Sequence, residues 1–226
     1  MQQLAHAVAF LHHTVGAVHA DIKPENILLD SEISMNDKSH EDNERLLTVK
    51  LIDFGCAVPC SNHHSKKPTA TTTAANSCHA ESGGTTAYWP PERFENHAMA
   101  TSPSDMWSLG ILLFILLTHS HPLDPLGLAT DEEIQDALVA CRHDGNATKI
   151  SIPRHLSAEA RDVLERLLAV DPQQRLTATE LLEHPWITQQ QEPLESRNRT
   201  TTSTVASMKE ILTSAAETTQ TATTAT

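Results

Sequence analysis

Apolar residues along this chain fall into dense and dilute stretches, and the dense ones carry recognisable periods. Leu4, Ala7, Val8 and Leu11 recur three and four residues apart, which predicts a helix with one buried face, stopped at Gly16. Ala17-Val18 and Ile27-Leu28-Leu29 are short apolar runs on either side of a polar loop and predict short strands or buried turns. Residues 49–54 predict a further short strand running into Gly55. Residues 106–117 are apolar nearly all round, broken by Ser108 and Gly110. That run is too short to cross a bilayer, so it predicts a helix buried inside a helical domain. A helix over 131–142 places Ile134, Ala137, Leu138 and Cys141 on one face, with Asp131, Glu132 and Glu133 in its first turn, where the helix dipole favours acids. Ser157 is a candidate N-cap for a helix striped by Ala160, Val163, Leu164, Leu167 and Leu168. Thr177 with Glu180 has capping-box spacing for the last helix.

Between these lie dilute stretches. Residues 31–48 are dominated by Ser31, Glu32, Asn36, Asp37, Glu41, Asp42 and Glu44 and read as a solvated insert. Residues 61–86 contain no Val, Ile, Leu, Met or Phe, so little there offsets the entropy of ordering, and disorder is expected. Residues 188–226 are a Thr-, Ser- and Gln-rich tail, expected to be disordered apart from a nascent helix around Val205, Met208, Ile211 and Leu212.

Composition narrows the class. Of 226 residues, 29 are acidic and 16 are Lys or Arg, a formal net charge of −13, which argues against a general nucleic-acid binder. The hydrophobic fraction of 39% is enough for a globular core. Four cysteines in a chain of this length are no disulfide framework, and there is no basic residue ahead of the first apolar stretch. The expectation is an intracellular protein, cytoplasmic or nuclear, without membrane insertion.

Asp21, Asn26 and Asp53 stand out as polar residues in apolar surroundings. Carboxylate and amide oxygens are hard ligands that suit Mg²⁺. A nearby acid can accept a proton from a hydroxyl nucleophile, and Lys23 adds positive charge where phosphoryl oxygens would crowd. The set suits phosphoryl transfer. Cys56, Cys60, His63 and His64, with Cys78 and His79 in reserve, have spacings a zinc site could use, but they match no zinc module and are left unassigned.

The run Val18-His19-Ala20-Asp21-Ile22-Lys23-Pro24-Glu25-Asn26-Ile27-Leu28-Leu29 resembles the catalytic loop of eukaryotic protein kinases, and Leu51-Ile52-Asp53-Phe54-Gly55 resembles their magnesium-binding D-F-G motif. The likeness continues in order. Gly84-Thr85-Thr86-Ala87-Tyr88-Trp89-Pro90-Pro91-Glu92 resembles the docking segment that ends in A-P-E, with Pro90 in place of Ala. Ser104-Asp105-Met106-Trp107-Ser108-Leu109-Gly110 resembles the start of the central helix, and Arg175 with His184-Pro185-Trp186 resembles the closing elements. The resemblance covers 1–187 apart from two inserts. It leans to the calmodulin-dependent branch through Ile115-Leu116-Leu117 and Leu181-Leu182-Glu183-His184-Pro185-Trp186.

The resemblance implies a mainly α fold of the α+β kinase family: the C-terminal lobe, helical with a few short strands at the catalytic loop, the activation segment being 53–92. It implies that Asp21 accepts or orients the substrate proton, that Lys23 contacts the transferred phosphate of ATP, and that Asn26 and Asp53 hold Mg²⁺. His19, Phe54 and Gly55 complete the motifs. Thr85 would take part in docking a protein substrate and points to the serine/threonine type. Glu92 and Arg175 would pair, and Asp105 would brace the catalytic loop.

Two departures shape the functional expectation. No Gly-rich loop or strand lysine precedes His19, and residues 1–18 contain no lysine, so the N-terminal β-rich lobe is expected to be absent and the chain by itself inactive. Ala20 replaces an arginine that usually reads an activation-segment phosphate, so activation by such a phosphate is not expected. The leading reading is a serine/threonine kinase catalytic-lobe fragment. The alternative is a non-catalytic interaction module.

Overall fold

The computed structural model describes residues 1–32, 46–60, 86–94, 99–143 and 150–189. The chain opens with α1 (Gln2–Phe10), which buries Leu4, Ala5 and Val8. Its last turn, Leu11–Val15, widens to π-helical geometry and stops at Gly16. Gly16 adopts φ 73°, a left-handed conformation that a residue without Cβ takes at little cost, so the predicted stop has a direct physical cause. The chain then forms β1 (Ala17–Val18), a short turn at Pro24–Asn26, and β2 (Ile27–Glu32), which pairs antiparallel with β3 (Leu46–Leu51).

The hairpin corrects two expectations. Both ends of the 31–48 insert are strand, because the register runs from Ile27 opposite Leu51 out to Glu32 opposite Leu46. The strand expected at 49–54 starts three residues earlier and ends at Leu51. Local patterning missed these ends, since the backbone partner of each lies on the far side of the insert. Gln3 of α1 locks the hairpin from the side: its Nε2 donates to the Leu47 carbonyl at 2.9 Å and its Oε1 accepts from Val49 N at 2.7 Å. β1 pairs with β4 (Val58–Pro59) in a second small sheet.

The helical body is built around α2 (Ser102–Thr118). Thr101 caps it in extended conformation, with its N–H donating to Ser104 Oγ at 3.1 Å and Pro103 in the first turn. Every residue from Ser104 to Phe114 is buried, as expected for a helix apolar on all sides. Around it stand α3 (Asp131–His143), α4 (Ala158–Leu167), α5 (Ala178–Glu183) and α6 (Pro185–Thr188). The predicted caps form: Ser157 Oγ accepts from Ala160 N at 3.1 Å, and Thr177 with Glu180 makes the reciprocal capping box. Trp107, Leu109, Ile111, Leu113, Leu138, Leu164, Leu167 and Leu181 form one continuous core. Gly110 lets α2 approach α4 closely, since a Cβ there would lie 2.8 Å from Leu168 Cδ2 and 2.9 Å from Leu167 Cβ. The architecture is mainly α with short strands. Among the described residues no helix is long and apolar enough to cross a membrane. The expectations for 61–85 and for 190–226 lie outside the described residues.

Candidate active site

The loop between β1 and β2 carries His19, Asp21, Lys23 and Asn26, and its shape is imposed from below by Asp105 in the first turn of α2. Asp105 is 1% exposed, and its carboxylate accepts from His19 N at 2.8 Å, from Ala20 N at 2.9 Å and from His12 Nε2 at 2.8 Å. Three donors on a buried carboxylate offset its loss of hydration. They also hold Ala20 at φ 68°, a left-handed conformation uncommon for a residue with a Cβ.

His19 is fully buried and acts as a connector. Its Nδ1 accepts from Asp21 N at 3.3 Å, so its Nε2 is the donor to the Ile52 carbonyl at 3.0 Å. The imidazole thereby ties the loop between β1 and β2 to the residue before Asp53. A second tie runs beside it, from Ile52 N to the Asn26 carbonyl at 2.9 Å. Two bonds therefore bring Asp53 alongside Asn26, although 27 positions separate them in the chain (53 − 26).

Asp21, Lys23 and Asn26 converge on one oxygen. Asp21 Oδ2 lies 2.9 Å from Lys23 Nζ and accepts from Asn26 Nδ2 at 3.0 Å. Asn26 Nδ2 also donates to the Asp21 carbonyl at 2.8 Å. With both amide protons turned to Asp21, the remaining polar atom of this buried side chain is the carbonyl-type Oδ1, a hard oxygen ligand. Asp53 adopts φ 60° and is exposed, and its Oδ1 accepts from Gly55 N at 3.1 Å. A Cβ at position 55 would sit 3.1 Å from that oxygen, so glycine keeps the carboxylate uncrowded. Phe54 packs on the His19 ring at a centroid distance of 5.0 Å and leaves 51% of its surface exposed.

Glu92 and Arg175 form a forked pair: Nη1 to Oε1 at 2.6 Å and Nη2 to Oε2 at 2.7 Å. Arg175 also donates to the carbonyls of Ala169, Pro103 and Val170, so all five of its N–H groups have acceptors. Thr85 lies outside the described residues, as do His63, His64, Cys78 and His79. Cys60 and Cys141 are outside any disulfide, whereas Cys56 is disulfide-bonded. A cavity of about 670 Å³ lies beyond Asp105, lined by His12, Cys60, Glu92, Met106 and Arg175; Asp21, Lys23, Asn26 and Asp53 are not part of it.

Sequence reasoning missed His12 and Arg93. His12 had no signal beyond its place near the end of a helix. Arg93 donates from Nη1 to the Ala20 carbonyl at 3.0 Å, with its guanidinium 3.8 Å above the Trp89 ring. Burial lowers its pKa, opposed by the charges of Asp105, Asp21 and Glu92. The spacing of Trp89 and Arg93, four residues apart, was visible in the sequence, but the contact with residue 20 was not.

Comparison with known proteins identifies the family. Residues 1–187 match the family model for the protein kinase domain. Serine/threonine-protein kinase PKZ1 of Phytophthora infestans is 35% identical over 190 residues, covering 82% of this chain and 43% of the relative. Serine/threonine protein kinase OSK3 of Oryza sativa subsp. indica is 33% identical over 185 residues, covering 82% of this chain and 29% of the relative. The probable serine/threonine-protein kinase HSL1 of Saccharomyces cerevisiae is 33% identical over 187 residues, 82% of this chain and 10% of that protein. The chain thus spans less than half the length of these curated relatives. With its motifs in order and its family match over 187 residues, the chain belongs to the protein kinase domain family.

Proposed function

We propose that this chain supplies the catalytic loop of a serine/threonine protein kinase, which moves the γ-phosphoryl group of ATP to a hydroxyl of a protein substrate inside the cell. The observation that carries the reading is the convergence of Lys23 Nζ and Asn26 Nδ2 on Asp21 Oδ2, next to an Asp53 tethered through Ile52. Asp21 is held by two hydrogen bonds from Asn26 and faces partly outward, as an acceptor for a substrate hydroxyl proton must. Lys23 brings a cation to the same point, where it balances Asp21 and can turn to a phosphoryl oxygen. The oxygens of Asn26 and Asp53 fit Mg²⁺, a hard ion that takes few protein ligands, and when bound it would neutralise phosphate charge. Glu92 with Arg175, and Asp105 with His12, hold the surrounding segments in place and touch no reacting group.

The names of the relatives support the serine/threonine class. The experiment is phosphoryl transfer from Mg²⁺-ATP to serine, threonine and tyrosine peptides by this protein. Asp21→Asn is expected to lower kcat about 100-fold or more, as loss of a general base does, with no change in melting temperature. Equal rates for wild type and Asp21→Asn, or transfer to tyrosine alone, would overturn the reading. Absence of transfer in the wild type, with partners still captured through the folded domain, would favour the interaction module.

A further inference from the structure

Ala20 is held from both sides of its backbone, and the second holder comes from an unexpected place. Its N–H is fixed by Asp105 of α2. Its carbonyl, which belongs to the peptide bond joining it to Asp21, accepts from Arg93 Nη1 at 3.0 Å. Arg93 lies in the turn Pro91–Phe94, and its neighbour Glu92 is gripped by Arg175. The guanidinium is preorganised by its stack on Trp89, whose ring also packs on Phe94 at a centroid distance of 5.8 Å. A stacked planar cation loses little further freedom when it donates a hydrogen bond. Ala20 has no polar side chain to make this connection itself, and its left-handed φ of 68° needs support from its surroundings.

We propose that Arg93 is a positioning residue for the catalytic loop: by clamping the Ala20 carbonyl it couples the docking turn at 86–94 to the Ala20–Asp21 peptide and so to the orientation of Asp21. The coupling is built in, because the cation is part of this chain and its acceptor is backbone. It needs no added phosphate, in keeping with the alanine at position 20. Arg93 touches no reacting group. This inference rests on the proposed role of Asp21, and its test is chosen to stand apart from that role.

The full chain and its Arg93→Ala, Arg93→Lys and Trp89→Leu variants are compared by amide hydrogen exchange. Loss of one hydrogen bond to a charged donor is expected to speed exchange at His19, Ala20 and Asp21 about tenfold in Arg93→Ala, with α4 protected as before. Trp89→Leu, which keeps the guanidinium but removes its platform, is expected to give a smaller rise at the same amides. Arg93→Lys, which keeps the charge but not the planar fork, should fall between wild type and Arg93→Ala. Unchanged exchange at residues 19–21 in Arg93→Ala overturns the proposal, and so does a rise shared equally by α4. Should Arg93→Ala fail to fold, Arg93→Lys and Trp89→Leu carry the same comparison. In the phosphoryl-transfer assay, Arg93→Lys should lower kcat while leaving the KM for ATP unchanged. A wild type that transfers no phosphate defeats the proposed function, while the exchange data still decide whether Arg93 holds the loop.

Discussion

Asp105 and Asp53 both adjoin the loop between β1 and β2, one from α2 and one from the segment after β3. Asp105 is buried, and its two oxygens accept from two backbone N–H groups and an imidazole. Asp53 is exposed, and its carboxylate accepts from the N–H of Gly55 two residues on. Both adjoin left-handed backbone, at Ala20 and at Asp53 itself. The difference lies in where each charge is used. Inside the core the carboxylate is committed to shaping a loop, and its worth is structural. At the surface the charge stays hydrated and remains able to interact with an ion or a phosphate. Residue type alone does not separate a structural acid from a chemical one; the donors around it do.

The strongest way to break this contrast is Asp105→Ala. It strands His12 and two backbone N–H groups in the interior, so unfolding in urea should show a loss of about 3–5 kcal/mol. A loss below about 1 kcal/mol would mean that the loop does not hang on α2. Glu92→Gln tests a second, partly buried carboxylate. It keeps one acceptor but removes the charge opposite Arg175, and should cost about 2 kcal/mol by the same measurement. Gly110→Ala sharpens the point by moving the platform and sparing the polar groups. The new methyl would press on Leu167 and Leu168, with an expected cost of about 1–3 kcal/mol and a crystal structure showing α2 displaced from α4.

A pH titration separates a partly buried histidine from the acids. His121 accepts at Nδ1 from Leu123 N and donates from Nε2 to the Ala87 carbonyl at 3.1 Å. Burial holds its pKa below the ordinary 6.5, although the Ala87 bond opposes the shift. The unfolded chain therefore takes up the proton first as pH falls. Its contribution is present above pH 6.5 and is lost as pH drops through 6.5 towards the lower folded value, so the melting temperature should fall across that window. His121→Gln should flatten the fall, and an unchanged slope would remove His121 as its source. The smallest effect on stability belongs to Asp53→Asn. Asparagine tolerates left-handed backbone, so the change should stay within about 0.5 kcal/mol in urea, while Mg²⁺-dependent phosphoryl transfer is strongly reduced. A large loss of stability would place Asp53 with Asp105 among the structural acids.

The helical elements were legible because their signals are local. Caps at Ser157 and Thr177, the stop at Gly16 and the apolar stretch of α2 depend on residues within a turn or two of one another. The motif residues Asp21, Lys23, Asn26 and Asp53 were legible by order and spacing. The strand ends at Ser31–Glu32 and Leu46–Thr48 were not, because each finds its backbone partner across the insert, out of reach of any local pattern. His12 and Arg93 were invisible for a different reason: their partners are Asp105, 93 residues away, and Ala20, 73 residues away.

The sequence by itself determined the family and singled out Asp21, Lys23, Asn26 and Asp53 as candidates for phosphoryl-transfer chemistry, since residue identity and local spacing carry both. The tertiary structure alone decided how those groups are held: the buried His19 linking the loop to Ile52, the triple grip of Asp105, and the reach of Arg93 to the Ala20 carbonyl. Such bonds form between atoms that are distant in the chain. No periodicity encodes them, and they exist only once α2 and its surrounding helices have packed.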